Sequence, residues 1–228
     1  MAGIDELSAI EGRPTSELIA DRLREHILSG AFQPGEQVTE AQFATKLQVS
    51  RGPVREALQR LSQEGLLVSH RNRGVFVLDL AVVDVVEIYA AREAIEIAAA
   101  AALLAAPRDR IDRTVQELTG IVGQMPDMVS AGDWSQLAQL DLSFHSALVA
   151  GSANSRLIRI YATLAAESRI CIVNLKGSYP SLDRLVIEHQ KILTLVEEAR
   201  GPELRREITR HMKSAVNDLS VSMQGHAE

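Results

Sequence analysis

The chain has 228 residues, 24 Lys and Arg against 30 Asp and Glu, 46% hydrophobic residues and a single cysteine. That length holds one large domain or two small ones. One thiol excludes a disulfide framework, and no run approaches the roughly 20 uncharged apolar residues of a membrane span. Cys171, flanked by Ile170 and Ile172, reads as core packing in a reducing compartment, which predicts a cytoplasmic protein. The acidic total does not advertise a nucleic-acid binder, but the charge is uneven. Residues 50–74 carry five arginines against two glutamates, a net of +3, whereas residues 79–228 carry 15 Lys and Arg against 20 Asp and Glu, a net of −5. A positive field is thus confined to one short stretch of an otherwise acidic chain.

Residues 1–13 are mixed polar and acidic and read as a loose arm. Thr15 or Ser16 is placed to cap a first helix running to about Ser29, with Leu18, Ile19, Leu23, Ile27 and Leu28 apolar and Gly30 stopping it. Pro34-Gly35 marks a turn, Gln37-Val38 a short extended piece, and Thr39 caps a second helix over 40–47 with Phe43, Ala44 and Leu47 inward. After a tight turn at Gln48-Val49, Ser50 is the expected cap of a third helix closing at Gly65. Val54, Leu58 and Leu61 give that helix an apolar face, while Arg51, Arg55 and Gln59 line the other at spacings of four. Arginine can fork onto phosphate or guanine and glutamine can read adenine, so this face suits the major groove of DNA. Alone it reads equally as an ordinary solvated helix. Residues 66–68 and 75–78 then bracket Arg71, Asn72, Arg73 and Gly74 as a hairpin with a basic tip. Helix, turn, basic helix and basic wing in sequence predict a winged helix-turn-helix over residues 14–78.

The rest, 79–228, predicts an antiparallel bundle of six helices over about 82–106, 108–130, 133–150, 154–175, 181–199 and 202–223, with Asp133 and Ser181 as caps and a break at Gly201-Pro202. The fold class is therefore mostly α, a winged helix-turn-helix followed by a helical bundle. Within the bundle, Asp141 and His145 share one helix face a turn apart. His189 and His211 lie 12 and 10 residues from the turn at Gly201, roughly 18 and 15 Å along facing helices at about 1.5 Å per residue. Together they predict an N₃O set for a divalent ion, Zn²⁺ or Ni²⁺. Solvated helix histidines are the plain alternative. Arg92 and Arg169 interrupt apolar stretches. Each reads as a clamp for a ligand carboxylate, and Arg92 equally as an ion pair with Glu96.

These residues carry a resemblance. Ile27-Leu28-Ser29-Gly30, Pro34-Gly35-Glu36, Val54-Arg55-Glu56-Ala57-Leu58 and Arg73-Gly74-Val75-Phe76-Val77 resemble the GntR family of bacterial winged-helix repressors. Arg92-Glu93-Ala94-Ile95-Glu96, Asp141 with His145, Ser152-Ala153-Asn154, Glu188-His189 and Arg210-His211 resemble the helical FCD domain of its FadR subfamily, with six helices pointing to the VanR-like branch. The resemblance implies a homodimer on a palindromic operator, a small organic acid as effector, and metal ligation by Asp141, His145, His189 and His211; repression relieved by that acid is the default expectation, and no residue encodes the sign of control. It carries DNA contacts onto Ser50, Arg51, Arg55 and residues 71–74, and adds Asn154 to the effector site. Ala41 and Gly52 depart from residues common in relatives, so the operator sequence does not transfer. Two other readings remain at this stage: a metal-ion sensor with the same DNA site, and a metal-dependent hydrolase, for which no general base or nucleophile motif is found.

Overall fold

The computed structural model describes residues 13–71, 73–173 and 182–225. The expected arm (apart from Arg13), Asn72, the break at 177–180 and the Ser181 cap lie outside the described residues. The first helix, α1, spans Thr15–Leu28 with Pro14 at its N-cap, so neither Thr15 nor Ser16 caps it. Ile19, Ala20, Leu23, Ile27 and Leu28 are buried, and Leu18 is 46% exposed. Strand β1 is Gln37–Val38. Helix α2, Glu40–Leu47, is capped by the Thr39 side chain, which accepts from the Gln42 N–H. Gln48 enters the left-handed region at φ 56° and lets Val49 N–H return to the Ala44 carbonyl, which makes the tight turn.

Helix α3 is Arg51–Gln63, with Val54, Ala57, Leu58 and Leu61 buried. Ser50 occupies the N-cap position with extended backbone, but its hydroxyl makes no capping bond, contrary to expectation. The far end closes as expected. Gly65 takes φ 77°, its N–H reaches the Ser62 carbonyl and Leu66 N–H reaches Leu61. This is the αL closure that glycine makes without a Cβ penalty. Leu61 and Leu66 are both buried in the core beneath it. Strands β2, Leu67–His70, and β3, Gly74–Val77, form the wing, and β1 joins as the third antiparallel strand in the order β1-β3-β2. Gly74 sits at φ 108°, and a Cβ there would come within 2.7 Å of Gln37 Nε2, which itself donates to the Arg73 carbonyl. Glycine at this point is what allows β1 to clip the wing's tip.

The remaining helices are α4 Val82–Leu104, α5 Arg108–Val122, α6 Met125–Ala131, α7 Trp134–Gly151, α8 Ser155–Val173, α9 Leu182–Glu197 and α10 Gly201–Gly225. The bundle is helical as expected, but it has seven helices among the described residues rather than six, which removes the reason for the VanR-like branch. The span 108–130 divides because Gly123 ends α5 and Pro126 lies in the first turn of α6. Proline has no N–H to donate to the Val122 carbonyl, so the helical ladder cannot run through. The Asp133 cap forms, accepting from Gln136 N–H. The turn into α10 is made by Ala199 at φ 54°, with Arg200 N–H on the Leu195 carbonyl, two residues before the expected Gly201. Helix α4 packs against α7, α8 and α10, and α9 against α5 and α10, so α4, α7, α9 and α10 enclose the bundle's centre. Helix α8 also reaches back, because its Ile170 is buried in the core of the winged unit. Cys171, one residue on, is buried in the bundle core, and burial pushes its thiol up to about 12.

Candidate metal centre and nucleic-acid surface

Asp141 and His145 project from α7, His189 from α9 and His211 from α10. One ligand atom from each lies within 4.8 Å of all the others, and all four residues are buried. Each imidazole is oriented from behind. His145 Nδ1–H donates to Glu96 at 2.7 Å, His211 Nδ1–H to Glu188 at 2.7 Å and His189 Nδ1–H to the Leu185 carbonyl at 2.8 Å. A carboxylate or a carbonyl only accepts, so each neutral ring carries its proton on Nδ1 and turns the Nε2 lone pair inward. The His145 and His211 Nε2 atoms stand 3.0 Å apart. His189 Nε2 is buried without a hydrogen-bond partner among the described residues, although Asp141 Oδ1 is 3.2 Å away. Two lone pairs at that separation and an orphaned third repel one another unless a cation sits between them. The donor set, three imidazole nitrogens and one carboxylate on three helices, fits a divalent ion.

The electrostatics keep His145 neutral and Asp141 charged. Burial pulls His145 down to about 4 and so keeps it neutral, against the pull of Glu96. Burial alone would raise Glu96, but His145 and the Arg92 guanidinium overcome it and set the carboxyl at about 2. Asp141 is likewise held below the usual carboxylate range despite burial, and with the rings neutral the charge that favours its ionised form is the Arg92 guanidinium. Glu96 is the hub of this half of the site, accepting from His145, from Arg92 Nε and Nη2 at 3.3 and 3.2 Å, and from the Tyr161 hydroxyl at 2.8 Å.

Arg92 is 1% exposed, lies 4.8 Å from the Tyr89 ring centroid, and faces a cavity of about 30 Å³. That is room for about two water molecules. The cavity also touches Asp141 and His211, and is otherwise walled largely by apolar side chains such as Trp134, Ile172, Leu185 and Leu219. Arg92 is thus both the expected Glu96 ion pair and a cation beside the Asp141, His145, His189 and His211 cluster. The other two expected effector residues are not brought there. Asn154 is exposed and caps α8, its side-chain oxygen accepting from Arg156 and Leu157 N–H. Arg169 lies in a separate cleft between the winged unit and the bundle. Sequence reading missed Glu188 as the partner of His211, and Tyr161 altogether. The Glu188-His189 pair was visible, but nothing in the spacing shows that Glu188 turns toward a histidine on the next helix.

On the winged unit, Arg51, Arg55 and Gln59 are exposed on α3, as are Ser50, Arg71, Arg73 and Gly74. Arg55 is not free. Its Nε and Nη2 fork onto Glu40 of α2 at 2.7 and 2.9 Å. The Arg73 guanidinium stands 5.9 Å from the centroid of the Phe76 ring. The two departures from the resemblance leave bare surface: Ala41 is exposed, and a Cβ on Gly52 would meet open space. Arg60 is turned away, pairing with Glu17 and Glu64.

Comparison with known proteins agrees with this division. Residues 15–77 match the gntR family of bacterial regulatory proteins and residues 87–214 match the FCD domain. A relative from Paenarthrobacter nicotinovorans, named as a probable D-xylose utilization operon transcriptional repressor, is 30% identical over 213 residues, 92% of each chain. The gluconate operon transcriptional repressor of Bacillus licheniformis is 26% identical over 218 residues, covering 92% of this chain and 88% of that one. The crystal structure of a GntR regulator from Rhodococcus sp. RHA1 superposes with a TM-score of 0.75 at 22% identity, covering 90% of this chain and 96% of that one, which shows the shared fold. No helix among the described residues is long and apolar enough to cross a membrane. With a winged helix-turn-helix ahead of an FCD domain, the chain belongs to the GntR family of bacterial regulators and is a ligand-responsive, DNA-binding transcription regulator, not an enzyme.

Proposed function

We propose that the bundle is a sensor in which Asp141, His145, His189 and His211 hold a divalent ion, zinc or nickel, and a small carboxylate binds between the ion and Arg92. The observation that carries this reading is the inward turn of three Nε2 lone pairs, each fixed by an acceptor behind its ring. The ion supplies a charged, oxygen-accepting position when bound. Arg92 supplies the second positive partner, and Glu96 holds Arg92 and His145 in register. Helix α4 follows the wing directly and carries Arg92 and Glu96. Helix α8 carries Tyr161 to Glu96 at one point and Ile170 into the winged core at another. A carboxylate that favours one arrangement of these helices would therefore shift the winged units, provided it binds the two arrangements unequally.

The output is a cytoplasmic homodimer on a palindromic operator, with recognition helices in major grooves about 34 Å apart. Ser50, Arg51, Arg55 and Gln59 face the groove, and the wing residues Arg71, Arg73 and Gly74 face the backbone. Repression is the mode of control that the repressors among its relatives support, and its relief by the acid completes the proposal.

The cavity sets the acid's character. It has few polar groups beyond Arg92, Asp141 and His211. Each hydroxyl of a sugar acid would be buried without a partner there, at about 1–3 kcal/mol. Metal-loaded protein should therefore be stabilised in a thermal melt by acetate or propionate, and less by gluconate at equal concentration. No shift with any carboxylate would reject the carboxylate sensor. A larger shift with gluconate would reject the apolar reading of the cavity.

A further inference from the structure

The cleft holding Arg169 is about 690 Å³, much larger than the cavity beside the metal cluster. One wall is the outer face of α7 and α8, with Ser143, Ser146, Arg159 and Arg169. The other is the winged unit: Arg24 of α1, and Gln63 with Glu64 at the end of the recognition helix. Three arginines and one glutamate line it, in a protein whose net charge is −6. The glutamate is already taken. Arg24 forks onto Glu64 at 2.8 Å through both Nε and Nη2, and Arg60 joins it. Arg159 and Arg169 have no acidic partner among the described residues, and residues 174–181, which follow α8, contain no acid. Arg169 is half-buried. Its burial, and then Arg24, pull its pKa down, the mark of a cation held without a counter-charge. Taking a charge partly out of water without a partner is unfavourable, so an anion arriving here would relieve a cost already present. Serine hydroxyls and the Gln63 and Gln139 amides stand beside it as further donors.

We propose that this cleft is a second ligand site, separate from the metal centre, that takes a small dianion bearing carboxylate or phosphate groups between Arg169 and Arg159. Ten residues separate the two arginines on α8, roughly 15 Å along the helix, a span that two long side chains close onto one compact dianion. Because the end of the recognition helix forms the opposite wall, the occupant bridges the bundle and the DNA-reading helix directly, without passing through the metal. The cleft would thus add a second input to the same output.

Full-length, metal-loaded protein is titrated calorimetrically with succinate and, separately, with inorganic phosphate, sodium chloride holding the ionic strength constant. At least one anion binds wild type, and whichever binds identifies the carboxylate or the phosphate source. Arg169→Gln weakens that binding roughly tenfold or more, the scale of one lost charge-assisted partner, while it keeps its metal and melts no lower than wild type without anion. Arg169→Lys loses less. Wild type stripped of metal by a chelator still binds the anion, which separates this site from the carboxylate sensor. The proposal is overturned if neither anion binds beyond chloride, if Arg169→Gln binds as tightly as wild type, or if stripping the metal abolishes binding.

Discussion

Replacing His189 and His211 together by alanine is expected to lower bound divalent metal from about one ion per chain to a small fraction of that, in protein purified without a histidine tag. The two substitutions remove two of three inward lone pairs and leave Asp141 and His145 of α7 as the only ligands. A carboxylate and one imidazole on a single helix do not close around an ion. The effect extends to stability, because metal that binds only the folded state stabilises it by mass action, about 4 kcal/mol at a thousandfold excess over Kd. Wild type should therefore melt well below its metal-loaded temperature after chelation, whereas the double variant should melt at the same temperature with or without chelator. The comparison within each protein cancels the packing lost with the imidazoles, which His189 shares with the Phe144 ring at 4.7 Å. Equal metal content in the two proteins would reject the site.

Arg51→Ala and Arg55→Ala should each weaken operator binding by about 1–3 kcal/mol, roughly 5- to 150-fold, if the arginine reads a base. A phosphate contact gives a different pattern: weaker binding to every sequence, and a salt dependence shallower by about one ion. The structure gives reason to separate the two residues. Arg51 is exposed in the first turn of α3, the end of a helix whose free N–H groups favour an anion. Arg55 is held on Glu40 across the helix-turn-helix by two hydrogen bonds. That pair is largely exposed and contributes little to stability, so its consequence is to fix the direction of Arg55. Glu40→Gln should then alter sequence preference more than folding. Anisotropy titrations of labelled operator at several salt concentrations measure all of this. Unchanged affinity in both arginine variants would remove α3 from the interface.

Much of this was legible because it rests on local rules. The Gly65 closure follows from an αL residue at a helix end, the wing from β-formers around a glycine turn, and the histidine set from rungs counted on both sides of a helical hairpin. What was not legible depends on how helices rotate against one another. Arg92 and Arg169 look alike in sequence, each a cation in an apolar run, yet one faces the metal cavity and the other the interdomain cleft. Asn154 is a helix cap, a role its place at the head of α8 allowed but did not decide. The split of 108–130 was signalled by Gly123 and Pro126, but the apolar pattern of Ile121, Val122, Met125 and Met128 runs across the break and disguised it. Ser50 has the right residue type for a cap and leaves its hydroxyl unused. A side chain free in that position is available to a phosphate, which sequence alone cannot distinguish from a capping role.

On the proposed function, an acid bound at the metal centre controls the DNA-reading helix. This control is tested most directly by titrating labelled operator with metal-loaded protein in the presence and absence of propionate, at constant ionic strength, and repeating the titration with the His189→Ala/His211→Ala variant. Propionate is expected to change the operator affinity of wild type and to leave that of the variant unchanged. An equal propionate effect on both proteins, or none on wild type under conditions where its melting temperature shows that the acid is bound, would contradict this control.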